Sequence, residues 1–341
     1  MKQNRTVHLI IFALLLVMLT GCNLPQEEAI GADDEIVVLT EDENWELAEP
    51  ILEKALGQII MTPQKEPLYE FRRIGPDELQ DNLKIKNLII LTRLEVSSRI
   101  SGMVKSMLPD TTLKRVRNDK SAVYLRENAY AAGQVLLIVP AQDPPDLRKR
   151  LSVNSRKIFE TFERQFMLRQ EAFIYRSGEQ FDLAQSYLDQ YGWYLRMAHT
   201  YIPIQNNPAE RFVWWGREFP FRWLSVSWAT PSDSMDLESA GRKLMERTYS
   251  NLLDDVRINP DFLKVEEVWL KNYAAYRFSG LWEHTTDVKG GPFVGYAFYE
   301  PEKDRIYYLN GLVFAPDRRK MPYLRQLEVI LQTFDTKAYE P

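Results

Sequence analysis

The pattern of apolar and polar residues separates a short leader from a long folded body. The leader contains an unbroken apolar run of 11 residues, Leu9 to Leu19, with two basic residues before it and Gly21-Cys22 after it. This run is too short to cross a bilayer as a helix, which takes ~20 residues, and it suits the core of an export signal. A small residue directly before a cysteine is typical of a lipoprotein cleavage site. We therefore predict that residues 1–21 are a removed signal peptide and that Cys22 is lipidated, for example with palmitate. The alternatives are an uncleaved anchor and a buried helix.

Behind the leader, a polar and acidic segment precedes the first regular pattern. Residues 22–34 contain one proline and one glycine, and we predict a lipidated tether there. Because Asn23 and not aspartate follows Cys22, the well-known inner-membrane retention signal is absent. The Gln26-Glu27-Glu28 cluster is either an acidic export tag or a plain solvated linker. We expect the protein in the cell envelope, anchored to the outer membrane on its periplasmic face or at the cell surface.

The first folded part, residues 35–140, has mixed patterns that predict an N-terminal α/β lobe. Short runs rich in β-branched residues predict strands, and apolar residues at helical spacing between Trp45 and Leu56, followed by Gly57, predict an amphipathic helix. We predict that Pro140 closes the last strand. The predicted strands are at 35–40, 68–71, 88–91, 122–125 and 134–139, and the predicted helices are at 45–56 and 100–108.

Residues 141–192 are predicted to form two helices that connect this lobe to the rest. Asp143-Pro144-Pro145 suits the first turn of a long helix, and Leu147 to Phe166 carry an apolar face at helical spacing. A second helix runs from Phe181 to Tyr191 and ends at Gly192. Packing against the two lobes is the ordinary role for such helices, and partner binding is the alternative.

The last part, residues 193–341, is rich in strands and predicts an antiparallel C-terminal α+β lobe. Both parts end with a strand, a proline and a helix. This order of elements is either a trace of duplication or a succession that is common in unrelated proteins. The fold prediction is therefore α+β, with two mixed α/β lobes of antiparallel-rich sheets joined by two long helices. The predicted strands are at 193–201, 212–217, 221–228, 265–270, 273–282, 293–298 and 306–314, and the predicted helices are at 237–253 and 324–334.

Charge and composition exclude several classes of function. The chain has a formal net charge of −5, and removal of the leader takes away two further positive charges, Lys2 and Arg5. An acidic body offers no overall basic field for nucleic acid, so we predict no nucleic-acid partner. Because Cys22 is the only cysteine, its lipidation leaves no disulfide and no thiol nucleophile. The phosphate-binding, dinucleotide, serine-hydrolase and zinc-protease motifs are absent, and we predict no metal and no cofactor.

Two histidines remain in the body, and one of them lies in the best candidate for chemistry. Glu283, His284 and Asp287 precede Gly290-Gly291, and on a loop they could form an acid/base or cation-binding group. The alternative is a solvated hairpin end whose glycines serve the turn. His199 follows a stretch of alternating apolar residues, so a packing or rim role is expected, with a general base as the alternative.

Aromatic residues are concentrated before the middle of the second part. Eleven aromatic side chains occur between Tyr191 and Trp228. Trp214 and Trp215 are adjacent on a predicted strand and must point to opposite sides of it. With arginines nearby, exposed indoles could stack on sugar rings or clamp a peptide, whereas covered sheet faces would make them core residues. The ligand-binding candidates are Trp214, Trp215, Arg217 and Trp223.

Several turn and strand signatures resemble a family of bacterial lipoproteins. They are the lipoprotein cleavage site, Pro63-Gln64 with Glu66-Pro67-Leu68-Tyr69, Lys86-Asn87, Gly290-Gly291-Pro292-Phe293 and Gly311-x-Val313-x-Ala315-Pro316. The family is known chiefly from Bacteroidetes and is catalogued as a domain of unknown function. The resemblance implies lipid anchoring and an envelope location, and it supplies no catalytic residues.

Three functions remain open. The first is a non-catalytic binding module for an envelope protein, peptide or glycan, held at the membrane by its lipid. The second is an envelope hydrolase or transferase that uses Glu283, His284 and Asp287. The third is a structural spacer.

Overall fold

The computed structural model describes residues 26–119, 122–232 and 236–337, so the predicted signal peptide and Cys22 lie outside it. The strands are β1 (Glu35–Leu39), β2 (Ile59–Ile60), β3 (Glu66–Pro67), β4 (Glu70–Ile74), β5 (Asn87–Arg93), β6 (Tyr124–Glu127), β7 (Val135–Ala141), β8 (Ile202–Asn207), β9 (Phe212–Arg217), β10 (Phe221–Ala229), β11 (Val256–Leu270), β12 (Tyr273–His284), β13 (Gly290–Glu300) and β14 (Arg305–Phe314). The α-helices are α1 (Asp42–Leu56), α2 (Leu79–Asn82), α3 (Arg99–Met107), α4 (Asp110–Asn118), α5 (Pro144–Tyr175), α6 (Phe181–Tyr191), α7 (Leu237–Arg247) and α8 (Met321–Leu331). A 3₁₀ turn (Pro76–Glu78) and a π-helical turn (Thr248–Leu252) complete the described elements.

The first sheet has the strand order β4-β1-β5-β7-β6. Strand β1 is parallel to β4 and β5, β5 is parallel to β7, and only β6 is antiparallel to its neighbour. Helices α1 and α5 pack on one face and α3 on the other. A strand that is buried on both faces needs a continuous apolar run, and every residue of β7 is buried. The mixed α/β character is confirmed, but this sheet is mainly parallel and not antiparallel-rich.

The second sheet is antiparallel throughout, in the order β11-β12-β13-β14-β10-β9-β8. Helix α7 packs on one face, which we call the α7 face, and α6 and α8 pack on the other, the α8 face. Together the two sheets confirm the α+β class. They differ in strand number, order and direction, so the fold gives no support to a duplication.

Two strand predictions are wrong for physical reasons. Residues 193–201 form no ladder, and only Tyr194 and Ala198 make isolated bridges, although Trp193, Leu195 and Met197 are buried as their alternation indicated. The regular strand of this region is β8. In the first sheet, Pro140 lies inside β7 and does not end the strand. Strand β6 pairs with β7 only as far as Ile138, so no neighbouring strand on that side requires a backbone N–H from the proline.

The helices between the sheets are unequal. Helix α5 has 32 residues, whereas α6 has 11 and ends, as predicted, at Gly192 in the left-handed conformation with φ 78°. The expectation of two long connecting helices therefore holds for α5 alone. The buried side of α5 includes Arg150, which is fully buried and donates hydrogen bonds to Asp146, to the Ala122 carbonyl and to the Val116 carbonyl.

Buried polar contacts join the first part of the chain to α8. The Glu66 carboxylate accepts hydrogen bonds from the backbone N–H groups of Lys320 (2.9 Å) and Met321 (2.8 Å), and so caps the start of α8. Glu163 of α5 accepts from Tyr69 (2.8 Å) and from Arg325 of α8 (2.5 Å). These contacts give physical roles to the Glu66 and Tyr69 of the sequence signature.

The described part of the predicted tether is not a free linker. Ala29 is buried and its N–H donates to the Ala132 carbonyl, while Ile30 forms a bridge to Ile85. Glu27 pairs with Lys84, and this hydrogen bond lowers the pKa of Glu27. The prediction of a free tether over residues 22–34 is therefore wrong for residues 26–34, because backbone hydrogen bonds with Lys84, Lys86 and Ala132 hold this segment against the first part of the chain.

Candidate functional site

The α7 face of the second sheet is longer than the helix that covers it. Helix α7 has 11 residues and is about 16 Å long, whereas the nine residues of β10 extend over about 30 Å. One end of the face is left with its aromatic side chains open, and a cavity of about 310 Å³ lies there. We call it the aromatic pocket, and its lining is Trp214, Phe221, Trp223, Leu253, Asp254, Val256, Trp282, His284, Lys289, Leu312 and Phe314.

The walls of the aromatic pocket are rings that hold one another in place. Phe221 and Trp223 are stacked with their centroids 5.8 Å apart, and Trp223 meets the edge of Trp282 at 6.0 Å. The Trp282 indole N–H donates to the Val313 carbonyl at 3.1 Å. A Cβ added at Gly216 would lie 2.6 Å from the end of the Ile204 side chain and 3.1 Å from the Trp223 ring, so the glycine leaves room for both side chains against β9. The rings of the wall therefore contact one another, and Trp282 is also held by a hydrogen bond.

Two of the four predicted binding residues line this pocket. Trp214 and Trp223 belong to the α7 face and are half-buried there. Trp215 belongs to the α8 face, where it is fully buried and packs edge-on against Trp193. Arg217 lies two residues further along β9 and therefore shares the face of Trp215. The structure brings Trp214 and Trp223 together and places Trp215 and Arg217 elsewhere.

The three residues of the predicted acid/base loop do not converge. His284 follows Trp282 by two residues on β12 and lines the aromatic pocket. Glu283 points to the opposite face and binds Arg257 at 2.8 Å. Asp287 is exposed and pairs with Lys289 at 2.6 Å, and this hydrogen bond lowers the pKa of Asp287. One member of the group belongs to the pocket, and the two carboxylates have other partners.

The backbone of its own loop orients the His284 ring. Its Nδ1 atom accepts hydrogen bonds from the N–H groups of Thr286 (3.3 Å) and Asp287 (3.1 Å). The proton of the neutral ring is therefore on Nε2. A histidine that acts as a general base is usually oriented by a carboxylate, and neither Glu283 nor Asp287 contributes one to Nδ1 here.

A buried polar cluster lies in the core of the α7 face, and the sequence pattern did not predict it. The π-helical turn after α7 places Tyr249 so that its hydroxyl donates to Asn310 at 3.0 Å, and Thr248 lies 3.2 Å from the Ser227 hydroxyl. This turn leads directly to Leu253 and Asp254 at the edge of the pocket. Such turns occur often at functional sites. The periodicity predicted an uninterrupted helix to residue 253. The spacing of apolar residues does not reveal the extra residue that makes Thr248–Leu252 a π-helical turn.

The remaining candidates lie away from the pocket. His199 is exposed and its N–H donates to the Gly178 carbonyl. Within residues 26–119, 122–232 and 236–337, no group of three or more His, Cys, Asp or Glu side chains is arranged to hold a metal ion. No helix in these ranges is long and apolar enough to span a membrane.

Comparison with known families matches both parts of the chain. Residues 29–174 match the model described as Domain of unknown function (DUF8532), and residues 247–333 match Domain of unknown function (DUF4837). Both matched segments are therefore similar to domains catalogued without a function, in agreement with the resemblance expected from the sequence. The second matched segment contains Trp282 and His284 of the aromatic pocket, whereas Trp214 and Trp223 lie between the two segments.

Comparisons with individual proteins add little. No curated protein matches the sequence. Among solved structures, the Saccharomyces cerevisiae Ran-binding protein Mog1p is 11% identical with a TM-score of 0.31, and the match covers 42% of this chain and 90% of that one. A mutant of protein Mog1 is 11% identical with a TM-score of 0.30 and the same coverage. Similarity at this level supports no functional argument.

Proposed function

We propose that this protein is a lipid-anchored, non-catalytic binding protein of the bacterial cell envelope. Its aromatic pocket receives one apolar or aromatic side chain of a protein partner. The envelope location rests on the apolar leader and on Cys22. Because the chain packs against the first sheet from about residue 26, the four residue steps from Cys22 to Gln26 reach at most about 14 Å. The folded body would then sit directly on the leaflet.

The observation that carries the binding role is the composition of the pocket wall. Five aromatic rings form it, and its charged or titratable side chains are Asp254, His284 and Lys289, of which Asp254 and Lys289 are exposed. A volume of about 310 Å³ is at the small end of the range of ligand pockets, about 300–1,000 Å³. This space suits one anchoring group and not a large cofactor. Buried aromatic anchors of this kind account for most of the affinity at many protein interfaces.

The separation of Glu283, His284 and Asp287 disfavours the hydrolase or transferase alternative. A general base needs an oriented partner and a nearby nucleophile. In the part of the chain that the structure describes, Glu283 is paired with Arg257 and Asp287 with Lys289. His284 therefore serves as a polar edge of the pocket, where its Nε2–H can donate to a carbonyl of the partner.

Site-specific photocrosslinking in cells tests this function. Phe221 lies at the pocket and is 36% exposed, so a photoreactive phenylalanine there should crosslink to one defined partner band. The control is the photoreactive phenylalanine placed at position 269. Trp269 is 75% exposed and lies outside the pocket, so this variant should not give that band. The additional substitution Trp223→Ala should reduce the band at least about tenfold, whereas Trp269→Ala should leave it unchanged. Equal bands from both positions, or a band that survives Trp223→Ala, would disprove the proposed pocket.

A further inference from the structure

A cavity of about 690 Å³ lies between the two parts of the chain and shares no lining residue with the aromatic pocket. Helix α5 contributes Phe159 and Glu163, and strand β2 contributes Ile60. The far wall is formed by β11, β12 and α8, with Arg277 and Arg325 prominent. We call this cavity the α5–α8 cleft.

An arginine in the cleft is almost completely removed from water. The Arg325 side chain is 2% exposed, its Nη2 donates to Glu163, and its guanidinium lies over the Phe166 ring at 3.2 Å. Its Nη1 has no hydrogen-bond partner among the described residues. An unpaired buried donor is costly, so an acceptor atom brought by a ligand would be favoured there. Both Tyr69 and Arg325 donate to Oε1 of Glu163, and neither of these bonds uses Oε2.

A second arginine–glutamate pair repeats this arrangement. Arg277 donates to Oε1 of Glu328 through Nε (3.1 Å) and Nη2 (2.7 Å), and Tyr296 donates to the same oxygen at 3.1 Å. Oε2 of Glu328 takes part in none of these bonds. Glu163, Glu328 and Arg325 thus line the cleft with one carboxylate oxygen of each glutamate outside these bonds and with the unpaired Nη1 buried in the wall. The charges largely cancel, since the lining carboxylates are Glu163, Asp261, Glu266 and Glu328 and the lining cations are Lys264, Arg277 and Arg325.

The rest of the lining is apolar and includes the edge of a sheet. Leu68, Phe159, Phe293 and Leu324 present apolar surface. Strand β11 is the edge strand of the second sheet, and its pairing with β12 is interrupted between Asn259 and Lys264, next to the cleft. An edge strand has backbone groups without a strand partner and is a common site for the addition of an extended segment.

We propose that the α5–α8 cleft binds an extended peptide segment of neutral net charge. Its amide groups meet Arg325, Glu163 and Glu328 and the edge of β11, and its apolar side chains occupy the apolar lining. A peptide matches this surface because its backbone alternates donors and acceptors while its side chains are apolar. A free anion would face four carboxylates, and a cation would face three basic side chains. This site is separate from the aromatic pocket and does not depend on the function proposed for that pocket.

Titration calorimetry on the full-length protein in lipid nanodiscs tests the proposal. The probe is a blocked five-residue peptide of alternating leucine and threonine, and the comparator is the trimer of N-acetylglucosamine. Ser279 lines the cleft and is half-buried, so Ser279→Trp should fill the cleft and weaken peptide binding at least about tenfold. The same substitution at exposed Ser152 of α5 is the control and should have no effect. Methylation of the second and fourth amide nitrogens of the peptide should also abolish binding, because it removes backbone donors.

Further variants separate this site from the aromatic pocket. Arg325→Lys keeps the charge but removes Nη1, and it should weaken binding about tenfold if its urea midpoint matches that of the wild type. Trp223→Ala should leave peptide binding unchanged. The proposal is overturned if the peptide does not bind, if Ser279→Trp has no effect, or if only the sugar trimer binds in the cleft. Loss of peptide binding in Trp223→Ala, with normal binding in Ser279→Trp, would place the peptide in the aromatic pocket instead.

Discussion

Trp214 and Trp215 are neighbours on β9, and their indoles lie on opposite faces of the second sheet. Trp215 is fully buried in the core beneath α6 and α8, where it packs against Tyr187 and Trp193. Trp214 is half-buried in the wall of the aromatic pocket. A step of one residue along the strand thus separates a core side chain from one that lines the pocket.

This difference predicts that alanine substitution mainly lowers stability at Trp215 and mainly weakens partner binding at Trp214. Trp215→Ala should lower the free energy of unfolding by about 3–5 kcal/mol, because it leaves a large cavity in a packed core. Trp214→Ala should cost less than about 2 kcal/mol but should weaken partner binding. Urea denaturation followed by circular dichroism measures the first effect, and the Phe221 crosslink measures the second. Equal losses of stability would show that both indoles belong to the core.

A buried ion pair in α5 is expected to be important for the first sheet. Arg150 is 0% exposed and satisfies the carbonyls of Val116 and Ala122 as well as Asp146. Arg150→Met should cost about 3–5 kcal/mol, since Asp146 and two carbonyls would lose their partner out of contact with water. Arg148 on the exposed side is the matched control, and Arg148→Met should change the urea midpoint very little. A small effect at both positions would mean that water replaces the lost donors.

The Glu66 cap should stabilise the contact between the two parts of the chain. Glu66→Gln keeps the size of the side chain but removes the charge that faces the N–H groups of Lys320 and Met321. We expect a loss of about 1–3 kcal/mol by urea denaturation, because the site is buried and at a helix start. Glu70→Gln, at an exposed position that pairs with Arg319, should cost at most about 1 kcal/mol. If the two variants lose equal stability, the cap has no special role.

Asp335 should make stability depend on pH in the acidic range. Burial alone would raise the pKa of Asp335, but hydrogen bonds from the Lys337 backbone and the Lys271 ammonium lower it overall. A carboxyl whose pKa is lower in the folded state stabilises the protein above its unfolded value of about 3.9, and the contribution is lost as the pH falls through the folded value. Asp335→Asn should therefore cost about 1 kcal/mol or less at pH 7, and this cost should shrink as the pH falls below about 3.9. A difference that does not shrink with falling pH would exclude this origin.

Strong periodicity predicted much of the second sheet and of the long helix. The strand at Phe212–Arg217 has the predicted bounds, and the helix that begins after Asp143 was recognised from its prolines and its apolar face. The opposite orientation of Trp214 and Trp215 also followed from strand geometry alone. The local pattern of apolar residues was sufficient to predict these elements, and the tertiary contacts agree with that pattern.

Other features depend on contacts that the sequence pattern does not contain. The first part of β11 was missed because Pro260 and the interrupted pairing after Asn259 break the alternation. Helix α4 was missed because Val116 is its one buried residue. The aromatic pocket required knowledge of where α7 ends, and the α5–α8 cleft required the packing of α5 against α8. The docking of residues 26–34 likewise depends on partners far along the chain, such as Ala132.

Attachment to a membrane is the claim on which both the location and the choice of an envelope partner rest. Intact-mass and peptide mass spectrometry of the protein isolated from its native cells tests it directly. Our account predicts a chain that begins at Cys22, lacks residues 1–21 and carries acyl groups on that residue. An unmodified Cys22, or a chain that still begins before it, would contradict the account.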